Sequence, residues 1–263
     1  MELWHNSMLI FDDIMDNDEV RRGGKTMHKT LEEHSDKLTS ISHAINVGEY
    51  VNTLSFQALA ETNFPDEKKF KIFEELSKWQ KKAQQGQALD LILHEKPFEK
   101  IEISDVLQMY ELKTSSYTIT APLKCGYILS PQKKEITKNL EIYGKNIGIA
   151  FQTKDDLLGL YGTEEEIGKP VESDIEEGKK TFPLVSAYKN GGEEEKETIK
   201  SVIGKKPTKK ELEKIRDIVK RTNGKKKSEE LANQKVKNGK DIGKKIDSDF
   251  LIKISEFVFN RNY

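Results

Sequence analysis

Residues 67–94 read EKKFKIFEELSKWQKKAQQGQALDLILH. Phe70, Phe73, Leu76, Trp79, Ala83, Leu89 and Leu93 recur by threes and fours, the spacing of an apolar stripe on a helix, and no proline interrupts the run. At 3.6 residues per turn this is a helix of about eight turns. The same period extends upstream. Residues 1–18 carry Leu3, Trp4, Met8, Ile10, Phe11 and Ile14, and residues 38–62 carry Leu38, Ile41, Ala44, Ile45, Val47, Leu54 and Leu59. Downstream, 104–129 reads as two helical pieces meeting near Thr114–Ser116, because Pro122 limits a continuous run. A further helix covers 132–159. After a loop rich in Gly, Glu and Lys over 162–180, shorter helices are predicted at 182–190, 194–203, 208–222, 227–246 and 248–260, with breaks at Pro207 and Asn223-Gly224. No alternating strand pattern and no internal repeat is present, so the chain is read as all-α, a single-domain helix bundle over 1–263.

Composition narrows the function classes. The formal net charge is −1, which gives no global reason to expect nucleic acid or an anionic membrane surface as a partner. The lysine-rich stretch 205–245 interleaves acids, as in Lys209-Lys210-Glu211 and Ser228-Glu229-Glu230, and reads as a solvated helical surface. Cys125 is the one cysteine, so no internal disulfide can form; a buried structural thiol and a reducing, cytoplasmic location follow. No apolar run approaches the ~20 residues of a transmembrane segment. Residues 1–11 have no basic start and run into Asp12, unlike a secretory signal.

Two acidic clusters then stand out. Asp12-Asp13-Ile14-Met15-Asp16 is followed by Arg21-Arg22-Gly23. Phe151-Gln152-Thr153-Lys154-Asp155-Asp156 is followed by Gly168-Lys169-Pro170, Asp174 and Gly178-Lys179-Lys180-Thr181. Asp12 and Asp16, four residues apart, share a helix face. Carboxylates gathered this way repel unless cations neutralise them. Mg²⁺ takes one or two carboxylates together with substrate phosphates, so paired clusters flanked by Arg and Lys point to Mg²⁺-diphosphate chemistry.

At this point the chain resembles the trans-isoprenyl diphosphate synthases, or polyprenyl synthetases, of isoprenoid biosynthesis. Five features stand in family order: Asp12-Asp13-x-x-Asp16; Arg21-Arg22-Gly23 with Thr26 and His28; Gly86-Gln87-Ala88-Leu89-Asp90; Lys113-Thr114; and Phe151-Gln152-x-x-Asp155-Asp156 with Gly168-Lys169 and Asp174. The resemblance implies a helix bundle around a central cavity, a homodimer or a heterodimer with a related synthase, and Mg²⁺ held by Asp12, Asp13, Asp16, Asp155 and Asp156. It implies that Arg21, Lys113 and Lys169 grip the allylic diphosphate, that Thr114 and Gln152 face the allylic cation, and that His5 and Arg22 bind isopentenyl diphosphate. Lys179 would close over the site from the loop before residue 181. Ser7 and Met8, one turn before Asp12, would set chain length; neither is a bulky aromatic, so the expected product is geranylgeranyl diphosphate (C20), with C15 as the alternative, from C5–C15 starters.

Two departures qualify these expectations. The second cluster continues Leu157-Leu158-Gly159, with glycine where the family places a third aspartate. The family also implies helices ahead of the first cluster, with a Gly-Lys-x-x-Arg-Pro motif holding isopentenyl diphosphate, and no such motif stands in this chain. Without two such charge-assisted contacts, each worth about 1.5–3 kcal/mol, the second substrate would bind far more weakly. The expectation is therefore of a start further upstream, a fragment, or a non-catalytic or weakly active subunit that dimerises with a complete synthase. A terpene cyclase would share the first cluster, but the second cluster and Arg21-Arg22-Gly23 speak against it.

Overall fold

The computed structural model describes residues 1–131, 134–163 and 171–260. The helices are α1 (Glu2–Asp16), α2 (Met27–Leu31), α3 (Lys37–Ala60), α4 (Asp66–Glu95), α5 (Ile103–Tyr110), α6 (Ala121–Leu129), α7 (Thr137–Tyr161), α8 (Ser173–Glu176), α9 (Phe182–Asn190), α10 (Glu193–Val202), α11 (Lys209–Arg221), α12 (Gly224–Lys245) and α13 (Asp249–Asn260). The all-α expectation holds. Asp36 caps α3 by accepting from the backbone N–H groups of Leu38 and Thr39 at 3.0 and 3.1 Å, and Thr208 with Glu211 forms a capping box on α11.

Two features depart from the sequence reading. Strands Val20–Arg21 (β1) and Gly24–Lys25 (β2) form a short antiparallel hairpin. More consequentially, the chain does not break near Thr114–Ser116. α5 passes into a π-helical segment, Glu111–Thr120, which passes directly into α6. Pro122 lies just past the junction at which the π-helical segment passes into α6, and the helical run continues through it. The hydroxyls of Ser115 and Thr120 donate to the carbonyls of Tyr110 and Ser115, five residues back, at 3.2 and 2.8 Å, reinforcing the i→i+5 spacing of the wide turns.

This π segment packs between α4 and α7, and glycine permits the approach. A Cβ on Gly86 would fall 2.1 Å from the Lys113 backbone nitrogen, and one on Gly148 would fall 2.4 Å from Ser115 Cα. The backbone carrying Lys113 and Thr114 is thus clamped between two long helices. α7 is the most enclosed of these. Its Tyr143, Ile147 and Ala150 pack with Val236 of α12 and with Leu251 and Val258 of α13, and Tyr143 Oη donates to Leu251 O at 2.7 Å. Each fully buried Ile or Leu contributes about 1.5–3 kcal/mol. α1 packs on α3 through the small-residue stripe Ser40, Ala44, Gly48, Asn52 and Ser55. On the other side, Trp4 packs with Leu76 and Trp79 of α4 and donates from Nε1 to Gln80 at 3.1 Å.

Candidate active site

α1 stops at Asn17, whose left-handed backbone (φ 54) turns the chain sharply after Asp16. The hairpin turn residues Arg22 (φ 53) and Gly23 (φ 76) both have positive φ, as a two-residue turn with the twist of its strands requires. A non-glycine residue in this conformation costs on the order of 1 kcal/mol. The turn returns Arg21 onto α1, where its guanidinium meets Asp13 directly, Asp12 at 3.3 Å and Asp18 at 3.4 Å. Thr26 fastens the return by donating to Asp18 O at 2.7 Å, with His28 beside it.

From the π segment, Lys113 Nζ lies 2.7 Å from Asp90, 3.0 Å from Asp12 and 3.8 Å from Asp16. Lys179 Nζ lies 2.5 Å from Glu177, 3.1 Å from Asp16 and 3.7 Å from Asp174. Burial disfavours both ammonium groups, but the surrounding carboxylates outweigh it and hold both pKa values above the ordinary lysine range. Burial also pushes the Asp16 carboxyl up, yet Lys179 and Lys113 prevail and bring it down to about 2. Asp13 differs: burial carries it up to about 6 even against Arg21.

On α7, Asp156 is held by neutral groups. Tyr110 Oη donates to Asp156 Oδ2 and accepts from the Phe182 N–H at 2.7 Å. Gln152 donates from Nε2 to Asp156 Oδ1 at 2.9 Å, and its Oε1 accepts from the Thr114 hydroxyl at 2.6 Å. Burial raises Asp156 to about 7, opposed by the Tyr110 hydrogen bond and reinforced by Asp174. Tyr110 itself is pushed well above the ordinary tyrosine value by burial and by Asp156.

Between these walls lies a cavity of about 560 Å³. Asp12 and Asp16 line one side, Asp155 and Asp156 the other, with Lys113 and Lys179 among the lining residues. Arg21, Arg22, Thr114 and Gln152 also contribute to the lining. So does His5, whose ring lies 5.4 Å from that of Tyr117 and whose pKa burial pushes down.

Other expected positions fall elsewhere. Asp13 is not part of the lining; its carboxylate is taken by Arg21. Ser7 is buried with its hydroxyl on Trp4 O at 2.8 Å, and neither it nor Met8 lines the cavity; Leu9 does. Lys169, with Gly168, lies outside the described residues.

The donor set suits a hard divalent cation shared with a phosphate. Asp16 Oδ1 is buried and without a hydrogen-bond partner, although Asp16 lines the cavity. Among the described residues no three acidic, imidazole or thiol groups converge as a complete metal cage. An ion held by one or two carboxylates and completed by substrate oxygens needs no such cage.

Sequence reasoning gave no role to several lining residues. Asp90, in contact with Lys113, stood in plain view within Gly86-Gln87-Ala88-Leu89-Asp90. Tyr110 belongs to no motif and meets Asp156 from 46 residues away, so only the tertiary fold reveals it. Asp174 was visible as part of the second motif, but its place against α7 was not.

Comparison with known proteins agrees with this geometry. A geranylgeranyl diphosphate synthase of Saccharolobus solfataricus is 35% identical over 227 residues, covering 84% of this chain and 64% of that protein. A geranylfarnesyl diphosphate synthase of Aeropyrum pernix is 33% identical, covering 83% and 65%. The matched stretch thus spans less than two thirds of these relatives' length. Among solved structures, a geranylgeranyl pyrophosphate synthase from Corynebacterium glutamicum, complexed with isoprenyl diphosphate and magnesium, superposes with a TM-score of 0.91 at 25% identity, over 99% of this chain and 77% of that one. A geranylgeranyl pyrophosphate synthetase from Pyrococcus horikoshii gives 0.84 at 31% identity, over 99% and 77%. Residues 1–221 match the sequence profile described as polyprenyl synthetase, and the chain belongs to that family.

Proposed function

We propose that this chain is a Mg²⁺-dependent trans-prenyltransferase that condenses isopentenyl diphosphate head-to-tail with an allylic diphosphate. The observation that carries the reading is the pair of acidic walls facing one cavity with partly buried, carboxylate-paired ammonium groups among its lining residues. Asp12, Asp16 and Asp155 would hold the metal, with Asp156 behind them. When bound, Mg²⁺ supplies positive charge against the departing diphosphate.

The protein's own cations share that task. Lys113 and Lys179 are charged, partly buried and held by two or more carboxylates each, so they are placed before substrate arrives. Arg21 offers a fork for phosphate oxygens, and Lys169 completes the set in this proposal. Ionisation breaks the allylic C–O bond and the electron pair leaves with the diphosphate. The Thr114 hydroxyl and Gln152 amide then offer neutral dipoles to the cation, where a stronger nucleophile would trap it. Arg22 and His5 hold isopentenyl diphosphate, whose double bond attacks the cation to form the new C–C bond and a tertiary cation; the released diphosphate takes the proton lost from the adjacent carbon as a new double bond forms. The family relatives named above support a short-chain product, and we infer C20 with C15 as the alternative. The exposed apolar residues Leu38, Ile45 and Tyr50 of α3 and Phe70 and Phe73 of α4 support a dimer, and the buried, lone Cys125 fits a cytoplasmic setting. Among the described residues no helix is long and apolar enough to cross a membrane.

The test is Mg²⁺-dependent incorporation of labelled isopentenyl diphosphate with C5, C10 and C15 allylic starters. Asp12→Ala should lower turnover by about 10²–10³ or more. A wild type that is inert with every starter, yet forms a stable heterodimer with a full-length synthase, would replace this reading with that of an accessory subunit.

A further inference from the structure

Thr26 and His28 follow closely on Arg21-Arg22-Gly23, yet neither lines the cavity, and they are only 2% and 1% exposed. They sit where the hairpin ends and α2 begins. The Thr26 N–H donates to Glu19 O at 3.0 Å, and its hydroxyl lies 2.7 Å from Asp18 O and 3.4 Å from His28 Nδ1. A hydroxyl has one hydrogen to give. Two oxygens 2.7 Å apart need it between them, so it goes to Asp18 O, and Oγ1 meets His28 as an acceptor. Nδ1 then carries the imidazole hydrogen. The other ring nitrogen agrees. Nε2 is buried with no partner, and a spare lone pair is a lesser cost there than an orphaned N–H. The charged ring would bury that orphan along with its charge. Burial, with Lys29 and Lys37 nearby, holds the pKa below the ordinary histidine value against Glu32 and Asp18.

A chain of contacts follows. His28 Nδ1–H donates to Thr26 Oγ1, the Thr26 hydroxyl donates to Asp18 O, and the Asp18 carboxylate lies 3.4 Å from Arg21. One end of this chain is α2, which packs on α3. The other is the hairpin, whose tip holds Arg22 at a positive φ of 53, a conformation that persists only where its surroundings hold it. We propose that His28 is a positioning residue for the diphosphate site: as the neutral Nδ1–H tautomer it latches Thr26, and through Thr26 and Asp18 it holds the hairpin that presents Arg21 and Arg22 to the cavity. The inference rests on the proposed reading of those two arginines as diphosphate ligands. The competing role for His28 is to fill space beneath α2, for which the volume of the ring matters and the placement of its hydrogen does not.

Two substitutions separate these roles. Asparagine can place an amide N–H where Nδ1–H stands, whereas glutamine, nearer to histidine in size, places its amide one bond further out. Two quantities are measured on the full chain, with folding checked by circular dichroism. One is hydrogen exchange of the amides of residues 19–26 by mass spectrometry; the other is binding of inorganic pyrophosphate in Mg²⁺ by calorimetry. His28→Gln should speed hairpin exchange about threefold to tenfold, the worth of one hydrogen bond, and weaken pyrophosphate binding about tenfold. His28→Asn should keep both within about twofold of the wild type despite its smaller volume. Thr26→Val should lose at least as much as His28→Gln, and combining the two should add nothing to the loss in Thr26→Val. A loss in His28→Asn that equals or exceeds that in His28→Gln overturns the inference in favour of space filling, and so does an additive double variant. A wild type that binds no pyrophosphate overturns instead the reading of the arginines, while the exchange rates still decide the latch. Should His28→Gln not fold, Thr26→Val decides, and wild-type exchange in that variant would sink the latch.

Discussion

The two acidic walls of the cavity are held in opposite ways. On α1, Asp12 and Asp16 are answered by full charges, from Arg21, Lys113 and Lys179. On α7, Asp156 is answered by a phenol and an amide, and burial raises its pKa to about 7. A carboxylate surrounded by ammonium groups stays ionised and ready to exchange one cation for another. One that is fully buried with only neutral donors is fixed in position by them but resists ionisation, because burial outweighs their hydrogen bonds. The first wall is therefore a charged scaffold present before any ligand, whereas Asp156 in the second is set by neutral geometry.

Lys113→Ala should break the first wall most severely. It leaves Asp90, buried at 5% exposure, without its 2.7 Å partner and removes the charge shared between Asp12 and Asp16. Stripping one partner from a buried ion pair costs about 3–5 kcal/mol. Urea denaturation in EDTA should register a loss of that order, and Mg²⁺ with pyrophosphate should recover part of it by resupplying positive charge. A loss below about 1 kcal/mol would mean that the wall is not held by charge.

Tyr110→Phe probes the other wall at a smaller scale. One oxygen is lost, but two groups depend on it: Asp156 loses a donor and the buried Phe182 N–H loses its acceptor. An unsatisfied buried donor costs about 1–3 kcal/mol. The same denaturation experiment should show a loss in that range, insensitive to added salt. Strong salt dependence would mean that neighbouring charges, rather than the two neutral donors, hold Asp156 in place.

The contrast between the walls also marks what the sequence exposed. Helix period and clustered carboxylates are local patterns, so the all-α fold and the two clusters could be read directly, whereas Lys113 came only from the family resemblance. The face that α1 turns to the cavity holds residues 5, 9, 12 and 16. At 3.6 residues per turn, Met8 and Asp13 lie roughly a fifth of a turn to either side of that face, and Ser7 lies on the far side. That calculation was open to the sequence and explains why Leu9, rather than Ser7 or Met8, lines the cavity and why Asp13 meets Arg21. The π segment was not legible, because an apolar stripe does not distinguish i→i+4 from i→i+5 turns over ten residues. The hairpin was too short to alternate. Tyr110 and Asp174 reach α7 only through tertiary contacts, and no local pattern announces either.

The smallest effect separates the walls by pH. Burial raises the native Asp156 pKa from 3.8 to about 7, so the folded metal-free protein holds a proton there that the unfolded chain releases. The stability this contributes is complete below pH 3.8 and is lost as pH rises through 7. Asp16 runs the other way. Its native value of about 2 contributes stability above pH 3.8 that disappears as pH falls through 2. Asp13, raised to about 6, adds a descent that ends below that of Asp156. Asp156→Asn supplies a neutral side chain of the same shape and should cost less than about 1 kcal/mol at pH 5, where the native carboxyl is already protonated. By pH 8 the variant should equal or exceed the wild type in EDTA, because it has no proton to lose, while both chains should weaken alike below pH 3. Parallel wild-type and variant curves from pH 5 to 8 would show that Asp156 is ionised in the folded protein and that both walls are charged.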